Sequence, residues 1–312
     1  MDFVNKIFNS CCLQGLKSLP DNSVDCCVTS PPYWSIRNYE SDGQIGLEDD
    51  FHDYISRLID VFTEVRRVLK KTGTCFVNIG DTYGGAGHGY DPQEKKSKER
   101  YFLMANNNKT GKLISTPLNK SMLMLPYRFA IAMIEKQWKL RNVIIWHKPN
   151  QMPHGVFDRF TNDFEPVFFF TKSNKYTFNQ QLEPYERPLD RWGGNHLVAR
   201  SRSAWSDATG QHAFRDRNLR PNPDGRNMRC VWSVNTRGTN EKHYAAYPQK
   251  LVQRCIVSGC PEGGIVLDPF MGIGTTAVVA RKLNRQYVGF ELNPEYVKLA
   301  EKKLKRELGL FL

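Results

Sequence analysis

The sequence predicts an α/β fold with a mostly parallel sheet, and three observations support this prediction. Segments with the apolar pattern of strands alternate with segments that have the 3.6-residue period of helices, as in parallel sheets covered by helices. The segments "IVLD" and "VIIW" are apolar throughout, which is typical of strands buried on both faces. Functional residues follow three strands, at Ser30, Asp268 and Glu291, and ligands of such sheets bind beyond the carboxyl ends of the strands.

Residues 1–173 contain five predicted strands and two predicted helices. The longer helix covers residues 47–73, because its apolar residues recur with a helical period and Gly73 follows a lysine-rich end. The other elements are strands at 5–10, 24–28, 74–81, 141–149 and 165–173 and a helix at 122–140.

The same alternation resumes near the C-terminus. A helix, a strand, a helix, a strand and a closing helix are predicted at 247–259, 263–270, 274–284, 285–292 and 294–308. The closely spaced strand–helix–strand pattern indicates parallel strands joined by a crossover helix.

Two polar stretches interrupt the alternation. Residues 84–120 are rich in glycine, asparagine and lysine, and we expect them to form a mobile functional loop. Residues 173–241 combine many arginines with three tryptophans, a composition that suits groove contacts and base stacking in nucleic acids. The predicted organisation is therefore one domain formed by 1–172 and 242–312, with a separate nucleic-acid-binding region at 173–241.

Composition limits the function classes further. The formal net charge of +12 and the pI of about 9.3 favour a polyanionic partner. We find no signal peptide and no apolar run of membrane-spanning length. The eight cysteines form no C-x-x-C pair, so we expect mostly buried thiols, a cytoplasmic protein and no metal site.

The glycine-rich segment "DPFMGIGTT" lies between a predicted strand and a helix. It lacks the Gly-Lys-Ser/Thr of a phosphate-binding loop. The next strand ends at Glu291, where a carboxylate can accept hydrogen bonds from two ribose hydroxyls. Open glycines with a ribose-binding acid suit a nucleoside cofactor without phosphates, such as S-adenosylmethionine, whose positive sulfonium would favour a nearby Asp268. The predicted cofactor-binding residues are Asp268, Pro269, Phe270, Gly272, Gly274, Thr275, Thr276, Glu291 and Asn293.

The segment "TSPPYW", taken together with "DPFMGIGTT", resembles the amino methyltransferases of DNA. The order of the two motifs, with the arginine-rich region between them, is similar to that of the beta group. The resemblance implies a circularly permuted, Rossmann-like sheet of seven mostly parallel strands that begins at the third strand. It also implies S-adenosylmethionine as cofactor, double-stranded DNA as partner and target recognition by residues 173–241. A cognate restriction endonuclease is a further possible partner of such an enzyme.

The catalytic residues that the resemblance implies are Ser30, Pro31, Pro32 and Tyr33. An exocyclic amino nitrogen is a poor nucleophile because its lone pair is delocalised into the ring. The Ser30 hydroxyl and the Pro31 carbonyl can accept hydrogen bonds from its two N–H groups and so favour a pyramidal nitrogen. The double proline fixes that carbonyl in advance. Tyr33 can then stack on a base that has left its helix.

The target base is expected to be cytosine, because Ser before Pro-Pro-Tyr occurs more often in the N4-cytosine members of the family. N6-adenine methylation is the main alternative, and a silent DNA-binding protein and an RNA or protein methyltransferase are two others. Further candidates for the base pocket or for DNA binding are Trp34, Asp81, Lys148, Arg215, Arg217 and Arg220.

Overall fold

The structure, a computed structural model, describes residues 2–34, 43–84, 118, 120–152, 157–185, 222, 224–236 and 247–309. The chain divides into two units, of which the larger comprises Met1–Asn179 and Cys230–Leu312 and the smaller Gln180–Arg229. Most of the predicted loop at 84–120 and much of the predicted recognition region lie outside the described residues. The described strands are β1 Lys6–Asn9, β2 Val24–Thr29, β3 Leu69–Asn78, β4 Lys139–His147, β5 Phe164–Thr171, β6 Leu182–Glu183, β7 Arg226–Asn227, β8 Val231–Ser233, β9 Ile265–Asp268 and β10 Gln286–Glu291.

One sheet of eight described strands organises the larger unit, in the order β1-β10-β9-β2-β3-β5-β4-β8. Within this sheet, β5 is the described strand that runs antiparallel to its neighbours, β3 and β4. The predicted mostly parallel sheet is therefore confirmed. The expected count of seven strands was one too low, because the three-residue β8 extends the sheet beside β4 and is too short for a sequence pattern to indicate it.

Helices cover both faces of this sheet. Their bounds are α1 Cys12–Ser18, α2 Phe51–Val68, α3 Leu125–Glu135, α4 Gln249–Gly259, α5 Thr275–Lys282 and α6 Pro294–Leu308. α1, α2 and α3 pack together, and so do α4, α5 and α6. In β2, Cys27 joins the apolar cluster of the first three helices, whereas Cys26 faces Thr74, which bonds to α4. No helix within the described residues is long and apolar enough to cross a membrane.

The predicted helix at 47–73 is shorter in the structure and ends at Val68. The backbone N–H groups of Asn22 and Ser23 donate to the carbonyls of Arg67 and Val68, which draws the next residues into register beside β2. Leu69 to Gly73 therefore belong to β3 rather than to the helix. The lysines that were interpreted as a helix end lie in a strand.

Two further elements differ from the prediction. The helix expected at 122–140 covers only Leu125–Glu135, because Gln137 has a φ of 66° and the chain then becomes extended. α1 was not predicted, since its seven residues are too few to establish a period. All eight cysteines are free thiols, and six of them are buried.

In the smaller unit, the described residues include the antiparallel pair β6–β7. Glu183 Oε1 accepts hydrogen bonds from Arg226 Nε at 2.8 Å and from Arg229 Nε at 2.7 Å. The Tyr185 hydroxyl donates to the backbone carbonyls of Asn222 and Gly225. At least two arginines of the predicted recognition region thus support local structure.

Candidate active site

A cavity of about 350 Å³ lies at the carboxyl ends of the parallel strands of the larger unit. Its lining combines residues from the glycine-rich segment with residues from the double-proline segment. The first set, here called the glycine-turn end, consists of Pro269, Phe270, Gly272, Thr275 and Glu291. The second set, here called the proline-turn end, consists of Ser30, Pro31, Pro32, Tyr33, Asn78, Lys148 and Glu165.

The carboxylate of Glu291 is the main charged group of the glycine-turn end. Its Oε2 accepts from the N–H of Gly272 at 2.8 Å and its Oε1 from the N–H of Asn293 at 2.9 Å. Burial raises the pKa of Glu291, and the negative charge of Asp268 acts in the same direction. Since each carboxylate oxygen has two lone pairs, Glu291 can still accept hydrogen bonds from a ligand.

Gly272 leaves the backbone of the turn open. Its φ of 54° is left-handed, and a Cβ at this position would meet nothing within 4 Å. A ligand can therefore approach this backbone closely. This open turn and the remaining acceptor capacity of Glu291 fit the adenosyl half of S-adenosylmethionine.

Asp268 does not line the cavity, contrary to its expected place beside the sulfonium. Its Oδ1 accepts from Thr29 Oγ1 at 2.6 Å and from the N–H of Phe270 at 3.0 Å. Its Oδ2 accepts from the Tyr247 hydroxyl at 3.0 Å and from Thr276 Oγ1 at 2.5 Å. Burial raises the pKa of Asp268, while these donors oppose the rise. Asp268 thus connects the end of β2 to the glycine turn without lining the cavity.

Three other predicted cofactor residues also lie outside the cavity lining, because each has a structural role elsewhere. A Cβ on Gly274 would lie 2.8 Å from Ala300 Cβ, so this glycine allows α6 to pack against the turn. Thr276 points to Asp268. The side chain of Asn293 caps α6 by accepting from the N–H of Glu295 at 2.9 Å.

The proline turn is held on both sides by buried groups. Thr29, directly before Ser30, is bonded to Asp268, and the Tyr54 hydroxyl of α2 donates to the Pro32 carbonyl at 2.9 Å. Among the described residues, no donor or acceptor bonds to the Ser30 hydroxyl or to the Pro31 carbonyl. Both groups therefore remain available at the cavity wall.

Tyr33 is oriented by residues from two neighbouring strands. Its hydroxyl donates to Glu165 Oε2 at 2.7 Å and lies 3.3 Å from Asn78 Oδ1. Its ring lies against Gly80, where an added Cβ would come within 2.5 Å of Tyr33 Cε2. Asn78 Nδ2 and Lys148 Nζ also donate to Glu165, at 3.1 and 2.5 Å. One carboxylate thus connects Tyr33 with Lys148.

The remaining candidates for the base pocket lie elsewhere or outside the described residues. Trp34 does not line the cavity: its Nε1 donates to the Glu48 carbonyl at 2.8 Å and its ring meets Phe51 edge-on. Asp81 caps α3, because its Oδ1 accepts from the N–H of Leu125 at 3.0 Å, and burial raises its pKa. The last three candidates, Arg215, Arg217 and Arg220, belong to the part of the chain that the structure does not describe.

Several lining residues were missed by sequence reasoning. Ser10, Cys11, Cys12 and Leu13 follow β1 and line the cavity. Their position after a predicted strand was the available signal. Glu165 lies at the start of β5 rather than at the end of a strand, so the expectation about carboxyl ends did not indicate it. Within the described residues, no group of three potential ligands could hold a metal ion.

Comparison with known proteins gives a consistent result over nearly the whole chain. A family model of N6 and N4 methyltransferases, described as DNA methylase, matches residues 24–302. The type II methyltransferase M.Cfr9I of Citrobacter freundii is 38% identical over 96% of this chain and 88% of its own length. The type II methyltransferase M.SmaI of Serratia marcescens is 37% identical, over 94% of this chain and 88% of its own length.

Solved structures share the fold at lower sequence identity. The cytosine-N4-specific PvuII DNA methyltransferase superposes with a TM-score of 0.61 at 18% identity, over 95% of this chain and 84% of that chain. The complex of M1.HpyAVI with S-adenosylmethionine gives a TM-score of 0.55 at 17% identity, over 96% of this chain and 98% of that chain. The fold is thus that of the S-adenosylmethionine-dependent DNA methyltransferases.

Proposed function

Since the chain belongs to the beta group of the DNA amino methyltransferases, which use S-adenosylmethionine, we propose that it methylates the N4 nitrogen of cytosine at a specific site in duplex DNA. The observation that carries this proposal is the proline turn. Its Ser30 hydroxyl and Pro31 carbonyl are available at the cavity wall, while its flanks are fixed by Asp268 and Tyr54.

In the proposed mechanism, these two acceptors accept hydrogen bonds from the two N–H groups of the exocyclic amine, and one of the two protons leaves the nitrogen once the methyl group is bound. The nitrogen then becomes pyramidal, and its lone pair is released from the ring. The bound cofactor supplies an electrophilic methyl group on a positively charged sulfur. Because neither acceptor has to reorganise during the reaction, the turn contributes by preorganisation and by holding the nitrogen in line with the methyl group.

Tyr33 provides the surface on which the extruded base stacks. The ring lies next to Gly80, where an added Cβ would come within 2.5 Å of Tyr33 Cε2, so the glycine leaves room for the ring. The bond from its hydroxyl to Glu165 fixes the position of the ring's tip. Stacking contributes roughly 1–3 kcal/mol per base, which offsets part of the cost of removing the base from the duplex.

Two features support cytosine as the target base. Ser rather than Asp precedes the two prolines, and the PvuII enzyme, which is cytosine-N4-specific, shares this fold. N6-adenine methylation is the second candidate, because the family model covers both activities and the proline turn can hold either amine. A silent DNA-binding protein is disfavoured by the intact acceptors, and an RNA substrate is a further outcome of the test below.

Sequence recognition is assigned in this proposal to residues 173–241, which include the smaller unit Gln180–Arg229. We expect the segment 84–120 to close over the bound duplex. Replacing 173–241 by the corresponding segment of a relative should change the methylated site and leave S-adenosylmethionine binding intact. Loss of cofactor binding in such a chimera would contradict the assignment.

The relatives are named type II methyltransferases, and double-stranded DNA is the partner that fits the net charge of +12. We include a cognate restriction endonuclease in the proposal, since methylation of a specific site would protect the same DNA from cleavage. Purified wild-type protein should therefore block cleavage by an endonuclease of the same specificity once its site has been mapped.

The test of the proposed reaction uses unmethylated genomic DNA, labelled S-adenosylmethionine and mass spectrometry of the released nucleosides. N4-methylcytosine is the expected product. Ser30→Ala should lower kcat by about 100-fold, the typical effect of one preorganised catalytic contact, with an unchanged Kd for S-adenosylmethionine. The exposed Ser121 supplies a matched control, Ser121→Ala.

The other possible results of this test each decide one part of the proposal. N6-methyladenine would keep the mechanism and replace the target base. Methylation of RNA alone would overturn the DNA substrate. A Ser30→Ala variant with wild-type turnover would overturn the role of the proline turn.

A further inference from the structure

The ion pair between Lys148 and Glu165 leaves an ammonium group with unused donors at the proline-turn end. The two side chains are only 13% and 16% exposed, and Lys148 Nζ lies 2.5 Å from Glu165 Oε1. The ring of Trp146 lies 4.6 Å from the same nitrogen. A lysine carries three N–H donors, and Glu165 is its only hydrogen-bond acceptor in the described part of the chain.

Glu165 itself has little capacity left for a ligand. Its second oxygen, Oε2, accepts from the Tyr33 hydroxyl at 2.7 Å and from Asn78 Nδ2 at 3.1 Å. Three of the four lone pairs of Glu165 are therefore occupied, whereas two donors of Lys148 remain unused by the described residues. Tyr33 and Lys148 bind the same carboxylate and both line the cavity, so their polar groups lie close together at the proline-turn end.

The edge of cytosine next to its amino group carries two acceptors in sequence, N3 and O2. Adenine carries one acceptor, N1, followed by a C–H group. We propose that Lys148 recognises the flipped cytosine by donating to N3 and O2, and that Glu165 positions Lys148 for this role. This inference rests on the proposed function and adds the residue that selects the base.

The selection follows from the cost of an unpaired donor. With adenine in the pocket, one N–H of a shielded ammonium would face a C–H group and lose its hydrogen bond to water. Sites built to hydrogen-bond a substrate reject analogues that lack the partner more strongly than apolar pockets reject a small change in size. Ser30 and Pro31 can hold the amino group of either base. Discrimination between cytosine and adenine therefore depends on the ring positions next to the amino group.

The experiment measures coupling between the lysine and the base. Duplex oligonucleotides carry the mapped site with either cytosine or 3-deazacytosine, in which C–H replaces N3. The wild type is compared with Lys148→Met and with Lys148→Met/Glu165→Gln, the second of which leaves no unpaired buried charge. Lys139→Met, an exposed residue at the opposite end of β4, is the matched control.

For the wild type and for Lys139→Met, we expect 3-deazacytosine to lower kcat/KM by about 100-fold, the effect of one strong contact. For both Lys148 variants, kcat/KM on cytosine should fall by a similar factor, with little further loss on the analogue. The Kd for S-adenosylmethionine should not change in any variant. The wild-type oligonucleotide comparison needs no variant and remains informative if Lys148→Met alone does not fold.

Equal losses on the analogue in the wild type and in the double variant would overturn the inference while leaving N4 methylation intact. A wild-type enzyme that produces only N6-methyladenine would instead overturn the proposed function, and the pairing of Lys148 with cytosine would be overturned with it. The identity of the product and the coupling therefore report separately on the two proposals.

Discussion

The two ends of the cavity are built in different ways. At the glycine-turn end, Glu291 is held by backbone N–H groups of Gly272 and Asn293, within 20 residues of the chain. At the proline-turn end, Glu165 is held by side chains of Tyr33, Asn78 and Lys148, which come from three separate parts of the chain. Backbone donors fix one end locally, whereas the other end depends on the packing of the sheet.

Among the described residues, Asp268 is the group that bonds to both the segment before the proline turn and the glycine turn. It accepts from Thr29, which leads into the proline turn, and from Phe270 in the glycine turn. The two ends are therefore positioned relative to each other by a buried carboxylate that lines neither of them.

The largest effect is expected for Asp268→Ala. This change removes the shared acceptor of the Thr29, Tyr247 and Thr276 hydroxyls in a buried place, where Tyr247 and Thr276 keep the bond to each other. Since an unsatisfied buried donor costs about 1–3 kcal/mol, we expect a free energy of unfolding lower by about 3 kcal/mol. Both S-adenosylmethionine affinity and kcat should fall. Denaturant unfolding, calorimetric binding and turnover measure the three quantities.

Two further variants sharpen this test. Asp268→Asn keeps one acceptor and should lose about half as much stability. Asp49→Ala removes an exposed carboxylate and should behave like the wild type. If Asp268→Ala reduced turnover without affecting cofactor affinity or stability, Asp268 would not join the two ends.

The contrast also explains what the sequence could predict. The glycine turn and Glu291 are close together in the chain, and both follow strands whose apolar patterns are clear, so the site at that end could be found from the residues alone. Asp268 was placed correctly at the strand end, but no sequence pattern shows that Thr29 and Tyr247 would bond to its two oxygens and that it would lie outside the cavity lining.

Glu165 could not be found by the same reasoning. It is the second residue of β5, the strand that runs antiparallel to its neighbours. The start of an antiparallel strand lies at the same edge as the ends of the parallel ones. The direction of β5 depends on tertiary packing, and so does the proximity of Glu165 to Lys148. Trp34 and Asp81 were candidates because both follow strands, and in the structure Trp34 packs against Phe51 and Asp81 caps α3.

An intermediate effect, confined to the glycine-turn end, is expected for Glu291→Gln. Loss of the negative acceptor should raise the Kd for S-adenosylmethionine about tenfold, or ~1.4 kcal/mol, with little change in stability or in kcat. Burial raises the pKa of Glu291, and the ionised form is the better acceptor. Wild-type affinity should therefore decrease as pH falls through this raised pKa, starting at a higher pH than for an ordinary glutamate.

Calorimetric titrations from neutral to acidic pH measure this dependence. The Glu291→Gln variant should show a flatter profile, and Glu301→Gln, at an exposed position of α6, should keep the wild-type profile. An unchanged pH dependence in Glu291→Gln would assign the titration to another group.

The smallest effect is expected for Tyr54→Phe, which acts at the proline-turn end. The variant removes the donor to the Pro32 carbonyl, one hydrogen bond worth about 1 kcal/mol of stability, and loosens the turn that positions Ser30 and Pro31. We expect kcat to fall about threefold, since the two prolines still restrict the backbone, while the Kd for S-adenosylmethionine stays constant. Tyr287→Phe, at a buried residue of β10 outside the cavity lining, is the matched control in stopped-time methylation assays. A weaker cofactor affinity in Tyr54→Phe would contradict an effect confined to the proline-turn end.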